Sequence, residues 1–168
     1  MNIAQEIFRA YDIRGIVDNT LTTDATYLIG QAFGTKVIRG GQKEVVIGRD
    51  GRLSGPKLEA ALISGLTDAG CDVVTIGAVP TPVLYFANFN LNISSSIMIT
   101  GSHNPPDYNG LKMTLLGDAI YGDTILDLYH LIEANDFEKG KGQVQKKELI
   151  HTYINEVKNN VNLKKPMK

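Results

Sequence analysis

The chain is 168 residues long, with 43% hydrophobic residues and a single cysteine, and a chain of this size buries roughly 70% of its unfolded surface, enough for one domain with a sizeable core. Lys and Arg total 17 and Asp and Glu total 18, a formal charge of −1, so no basic field recommends nucleic acid or an anionic membrane as a partner, and any anion must be bound locally. Cys71 stands alone, which excludes an intrachain disulfide or a cysteine-based zinc site and reads as a small buried residue.

Met1 to Glu6 carries neither the basic nor the apolar region of a secretory signal, and no apolar run approaches membrane-spanning length; the expectation is a cytoplasmic protein. From Ile7 to Val17 the chain mixes aromatic, β-branched and charged residues, as an extended segment with charges at its turning points does. Arg14, within it, is by residue type an edge arginine that pairs with Asp12 or Asp18. Thr22, Thr23 and Asp24 then open a helix with a cap and an early acid; Ala25, Leu28, Ile29, Ala32, Phe33 and Val37 keep helical spacing until Gly40-Gly41 stops it.

Glu44 to Gly48 reads as a buried strand that runs into the charged turn Arg49-Asp50-Gly51-Arg52. Asp50 lies between the two arginines, which favours internal bracing of a neighbouring loop; Arg49 and Arg52 meeting a phosphate is the alternative. Ser54 is the expected cap of a helix through Leu58, Leu62, Leu66 and Ala69, with Pro56 in its first turn and Gly70 past its end. Cys71 to Gly77 follows as a second buried strand. Strand, helix and strand with short connections predict a right-handed parallel crossover and an α/β layer fold. Pro80-Thr81-Pro82 precedes a helix over Val83 to Phe89, whose aromatics belong to a core.

Ile97-Met98-Ile99 is a short buried strand that ends in Thr100-Gly101, which places Ser102 at a strand tip. Pro105 and Pro106 stiffen the loop, and Asn109-Gly110 supplies the positive φ expected of a sharp reversal. Leu111, Met113 and Leu115 then alternate with Lys112, Thr114 and Leu116 along a returning strand. Ser102, His103 and Lys112 thus offer a hydroxyl, an imidazole and an ammonium at one loop, the ingredients of an assisted nucleophile. Taken by residue type alone, the same residues also suit an ordinary polar turn. No Gly-x-Ser-x-Gly elbow or Ser-x-x-Lys motif supports a serine hydrolase.

Asp123 to Ile132 predicts a helix with His130 on its polar side, Gly140-Lys141-Gly142 is a polar connector without the Gly-Lys-Ser/Thr ending of a Walker loop, and Glu148 to Val161 predicts a last helix with His151 at the surface. Residues 161–168, charged and containing Pro166, have the composition of an interdomain linker.

The fourteen residues from Thr100 to Met113, Thr-Gly-Ser-His-Asn-Pro-Pro-Asp-Tyr-Asn-Gly-Leu-Lys-Met, resemble the phosphoserine loop of the α-D-phosphohexomutases, most closely that of the bacterial phosphomannomutase/phosphoglucomutases. Phe8 to Gly15 is similar to that family's opening motif, and Gly48 to Arg52 to a turn it shares. The resemblance covers nearly the whole chain and only the first of the family's four domains. It implies a three-layer α/β domain, a mixed sheet with helices on both faces, over 1–160, with 161–168 leading toward a second domain.

It also implies a phosphoryl carrier at Ser102 that exchanges the 1- and 6-phosphates of glucose or mannose through a bisphosphorylated sugar. Lys112 and His103 become candidates for proton transfer and charge stabilisation, Arg14 for steadying phosphate, and Tyr11 for shaping the cleft. Mg2+ is expected to take a phosphate oxygen on Ser102 and otherwise acidic ligands of the second domain; no Asp-Gly-Asp loop occurs here. Glucose or mannose 1,6-bisphosphate is the expected activator, and hexose phosphates and domains 2–4 the expected partners. Without those domains the chain is expected to be inactive or nearly so. A non-catalytic sugar-phosphate or partner-binding module is the alternative.

Overall fold

In the computed structural model, residues 3–161 are described. The expected linker therefore lies outside the described residues in all but its first position. After a short 3-10 turn at Gln5–Ile7, the strands are β1 (Ile13–Ile16), β2 (Glu44–Arg49), β3 (Asp72–Ala78), β4 (Ser96–Ile99), β5 (Tyr108–Leu115), β6 (Asp118–Ala119) and β7 (Val144–Lys146). The helices are α1 (Thr23–Arg39), α2 (Gly55–Asp68), α3 (Thr81–Leu91), α4 (Asp123–Glu133) and α5 (Ile150–Asn160). Among the described residues, no helix is long and apolar enough to cross a membrane.

The strands form one mixed sheet in the order β1-β5-β4-β2-β3-β7, with β6 on β5. β2 pairs in parallel with both β3 and β4, whereas β5 is antiparallel to β4 and to β1. Along β2 the side chains alternate between two cores: Val45 and Ile47 pack with α1, α2 and α4, and Val46 packs with Val83, Leu84 and Ala87 of α3. This is the expected three-layer architecture. The parallel crossover β2-α2-β3 is present as well, since its short apolar runs bury on both faces.

The chain passes from β2 to β3 on one side through α2, and then back to β4 on the other side through α3. The helices leave to opposite faces, so a crevice opens beyond the carboxyl ends of β2 and β4, the place where open α/β sheets receive ligands.

The Thr22 hydroxyl accepts the Ala25 N–H at 3.1 Å, the expected cap of α1. α1 and α2 cross closely because Gly65 carries no side chain: a Cβ there would sit 2.1 Å from the Tyr27 carbonyl oxygen. Cys71 is buried as expected, and burial pushes its thiol up to about 12.

Three expectations are corrected. Ser54 does not cap α2; its Oγ accepts from Asn109 Nδ2 at 2.9 Å, so the hydroxyl is spent across the molecule. Asn109 and Gly110 are not the reversal but part of β5, which begins three residues earlier than the apolar alternation suggests. Asn109 is buried, and Gly110 is needed because a Cβ would lie 2.4 Å from the Ile13 carbonyl oxygen on the paired strand β1. The aromatics of α3 do not all belong to a core: Phe89 is 88% and Tyr85 46% exposed, on the side of the helix turned away from the sheet. Past the connector, β7 adds in parallel to the edge of β3, an exposed strand held by its backbone and invisible to apolar periodicity.

Candidate functional site

Thr100 leaves the end of β4 and uses its hydroxyl twice, donating to Asp50 Oδ2 at 2.9 Å and accepting the Ser102 N–H at 2.9 Å. The Gly101 N–H reaches the same Asp50 oxygen at 3.1 Å. Ser102 follows with φ of 51°, the left-handed region, where a residue with a side chain costs on the order of 1–3 kcal/mol and persists only if its surroundings hold it. The reversal in this loop is therefore made at Ser102 itself. Its side chain is exposed, and Oγ lies 3.3 Å from His103 Nδ1.

Asp50 and Arg52, at the tip of β2, supply the hold. The Asp50 carboxylate also accepts the Arg52 backbone N–H at 3.0 Å and stands 3.4 Å from Arg52 Nε. From there the Arg52 guanidinium extends under the serine loop and donates to four backbone carbonyls, those of Ser102, Asn104, Pro105 and Tyr108. Arg49 takes a different path, to Glu59 Oε2 on α2 at 3.0 Å. Arg52 thus gives the expected bracing of the neighbouring loop, whereas Arg49 is engaged with α2 instead.

On the sheet side of the loop, the Asp12 carboxylate is only 6% exposed. One of its oxygens accepts both Arg14 Nη2 at 2.8 Å and Lys112 Nζ at 3.2 Å. Arg14 Nη1 continues to Asn104 Oδ1 at 3.3 Å, and the Asn104 amide in turn donates to the Gly101 carbonyl at 2.8 Å. Two cations on one carboxylate leave a net positive charge joined to the serine loop through Asn104, a place suited to an anion. Tyr11 is 78% exposed beside this cluster in sequence, with its ring turned to solvent and not lining a closed cleft.

A groove of about 880 Å³ opens beside the loop, lined by Ser102, Asn104, Asp50, Arg52, Lys57 and Asp18 among others. Lys57 is paired with Asp18 across it.

His103 and Ser102 thus lie side by side on one loop and Arg14 reaches that loop at Asn104, whereas Lys112 is joined to Arg14 only through Asp12. By sequence Asp12 is only a possible partner of Arg14, and nothing there marks the Thr100 hydroxyl as a link to Asp50 or the Asn104 amide as a link to Arg14. The signal for Asp12 was its spacing: two residues before Arg14 on an extended segment, it shares a face with the guanidinium. For Mg2+, no three His, Cys, Asp or Glu side chains converge among the described residues. The described side chains around Ser102 therefore do not make a metal cage by themselves.

A profile of the family described as phosphoglucomutase/phosphomannomutase, alpha/beta/alpha domain I, matches residues 5–139. The chain belongs to this family. It is similar to a phosphoglucomutase of Neisseria meningitidis serogroup A, with 49% identity over 99% of this chain and 37% of that protein. It is 48% identical to a phosphomannomutase/phosphoglucomutase of Pseudomonas aeruginosa, over 96% of this chain and 35% of that one. Among solved structures, a phosphoglucomutase/phosphomannomutase family protein of Burkholderia thailandensis superposes with a TM-score of 0.94 at 46% identity, covering 99% of this chain and 38% of that chain. The chain thus spans a little over a third of the length of these relatives, and its sheet and helices are those of their domain I.

Proposed function

We propose that this domain I carries the phosphoryl group of a phosphohexomutase, an isomerase of carbohydrate metabolism that interconverts hexose 1-phosphate and 6-phosphate, with mannose and glucose phosphates as substrates. The observation that supports this best is Ser102, presented with an exposed hydroxyl in a left-handed backbone conformation at the end of β4, in a loop whose Asn104 binds Arg14, one of two cations that share the Asp12 carboxylate.

In this reading the Ser102 Oγ–P bond breaks as phosphorus bonds to a hydroxyl of the sugar monophosphate, whose proton passes to a neighbouring base. After the bisphosphorylated sugar turns over, its other phosphate returns to Ser102 Oγ. Phosphoryl transfer depends chiefly on positioning and on neutralising spread negative charge. Arg14, with donors beyond those spent on Asp12 and Asn104, grips phosphate; Lys112 stabilises developing charge; His103, 3.3 Å from the hydroxyl, is the candidate for moving the proton. Tyr11 contributes an aromatic wall once further domains stand opposite it.

Mg2+ would neutralise charge on the phosphate at Ser102, its other ligands coming from a second domain reached through residues 161–168. Glucose or mannose 1,6-bisphosphate serves as activator, and the cytoplasm, where sugar phosphates reside, is the compartment. The three further domains are the partners of this one.

Conversion of glucose 1-phosphate to glucose 6-phosphate tests the reading. The chain joined to its remaining domains is expected to turn over and to lose turnover on Ser102→Ala, whereas this chain alone is expected to give none. Undiminished turnover in the Ser102→Ala enzyme contradicts the carrier role. Saturable binding of a hexose phosphate with Ser102 always unmodified would favour the non-catalytic binding module.

A further inference from the structure

We propose that Arg52 is a positioning residue whose guanidinium replaces a phosphate contact with a structural one: it locks the peptide that follows Ser102, sets the left-handed turn, and takes no part in binding phosphate. The inference rests on Ser102 being the reactive group, and it concerns a residue outside the cluster that faces the anion.

A guanidinium has five N–H donors in a rigid planar fork and no acceptor. In Arg52 four of the five make hydrogen bonds. Nη1 donates to the carbonyls of Pro105 at 2.6 Å and Tyr108 at 2.9 Å, and Nη2 to those of Ser102 at 3.1 Å and Asn104 at 2.7 Å. Nε faces Asp50 Oδ2 at 3.4 Å. The side chain as a whole is 16% exposed. Neither terminal nitrogen has a donor left for a ligand. Arg14 differs: its Nη1 and Nη2 make one hydrogen bond each, half the number that Arg52 makes there.

The bonds fall where they determine the conformation of Ser102. Its N–H is held by the Thr100 hydroxyl, which Asp50 orients, and its carbonyl is held by Arg52 Nη2. With both flanking peptide planes pinned, the positive φ of 51° is fixed from outside, as a strained turn requires. Gly101 completes the fit. A Cβ on it would lie 2.2 Å from Arg52 Cζ and from Nε, so the guanidinium lies flat against a backbone that has to be bare.

This geometry separates shape from charge. A lysine at 52 keeps the charge, but its single nitrogen cannot span four carbonyls. Gly101→Ala keeps Arg52 and displaces its guanidinium. The test is backbone and arginine side-chain NMR of this chain. In Arg52→Lys, Arg52→Ala and Gly101→Ala, the Ser102 and Asn104 amide resonances are expected to move together, while those of β2 and α2 stay in place and report an intact fold. Added guanidinium ion is expected to return the Arg52→Ala resonances toward wild type, and ammonium ion is not. Inorganic phosphate titrated into the wild-type chain is expected to shift Arg14 and to leave the Arg52 Nε–H unmoved.

Unchanged Ser102 resonances in Arg52→Lys would overturn the proposal, as would a saturable phosphate-induced shift of Arg52 Nε–H. None of these readings uses a sugar phosphate or a phosphorylated serine. The positioning role can therefore fail while the carrier role stands, and the carrier role can fail while the loop is still held by Arg52.

Discussion

Lys112 Nζ lies 3.2 Å from Asp12 Oδ2, the same oxygen that holds Arg14 at 2.8 Å. One buried carboxylate just before β1 therefore joins a cation of β1 to a cation of β5, and Arg14 continues from it to Asn104 of the serine loop. The arrangement uses a negative charge to concentrate positive ones, and its sign predicts opposite effects on stability and on anion binding.

Asp12→Asn removes the charge that compensates Arg14 and Lys112. Both cations keep partial access to water, which limits the loss of stability to about 1–2 kcal/mol. Inorganic phosphate is expected to bind more tightly to the variant, because the cluster gains net positive charge. Urea denaturation and a phosphate titration check the two effects; weaker phosphate binding at unchanged stability would contradict the account of this cluster.

Glu59 joins two elements behind the β2 tip, accepting from Arg49 Nε at 3.0 Å and from the Thr75 hydroxyl. Its substitution by Gln is expected to cost about 1–3 kcal/mol through the weakened, largely shielded contact with Arg49. Phosphate affinity should not change, since Arg49 faces α2 and not the serine loop. A double-mutant cycle with Arg49→Met gives the coupling, and additivity of the two changes would deny the contact.

Gly65→Ala places a Cβ 2.1 Å from the Tyr27 carbonyl oxygen and 2.9 Å from Gln31 N. Both are helix backbone and cannot swing aside. Overpacking of this kind typically costs about 1–3 kcal/mol, here expected toward the upper end. Thermal unfolding measures it, and an unchanged midpoint would mean that the helices separate without penalty.

Cys71 supplies a pH signature. Its thiol is raised from 9.0 to about 12, first by burial and then by the nearby Asp72 charge. The folded chain thus disfavours the thiolate that the unfolded chain forms freely. Stability from this source is complete below pH 9 and falls as the pH rises toward 12. A thiol reagent at pH 8 is accordingly expected to label Cys71 only as fast as the chain unfolds. Rapid labelling of the native chain would contradict its burial.

The legibility of this chain followed how locally each feature is encoded. The α1 cap, the α2 and α3 helices and the β2-α2-β3 crossover are written in short periodic runs, and the structure has them. The serine loop was readable because fourteen consecutive residues carry it. Ser54 illustrates the opposite case: its hydroxyl suits a helix cap, yet Asn109, 55 residues away, takes it. Asn109 and Gly110 look like a turn but lie in a strand, since the apposed β1 leaves room only for a bare Cα at Gly110. The four carbonyls on Arg52 could not be read at all, because backbone acceptors carry no residue identity.

The most direct measurement is the intact mass of the purified chain with peptide mapping around Ser102. A single phosphoryl group on Ser102, absent from Ser102→Ala, is the result this account predicts for chain taken from cells in which the complete enzyme charges it. Phosphate mapped to any residue other than Ser102, with Ser102 refractory even in the presence of the complete enzyme and glucose 1,6-bisphosphate, would contradict the central claim.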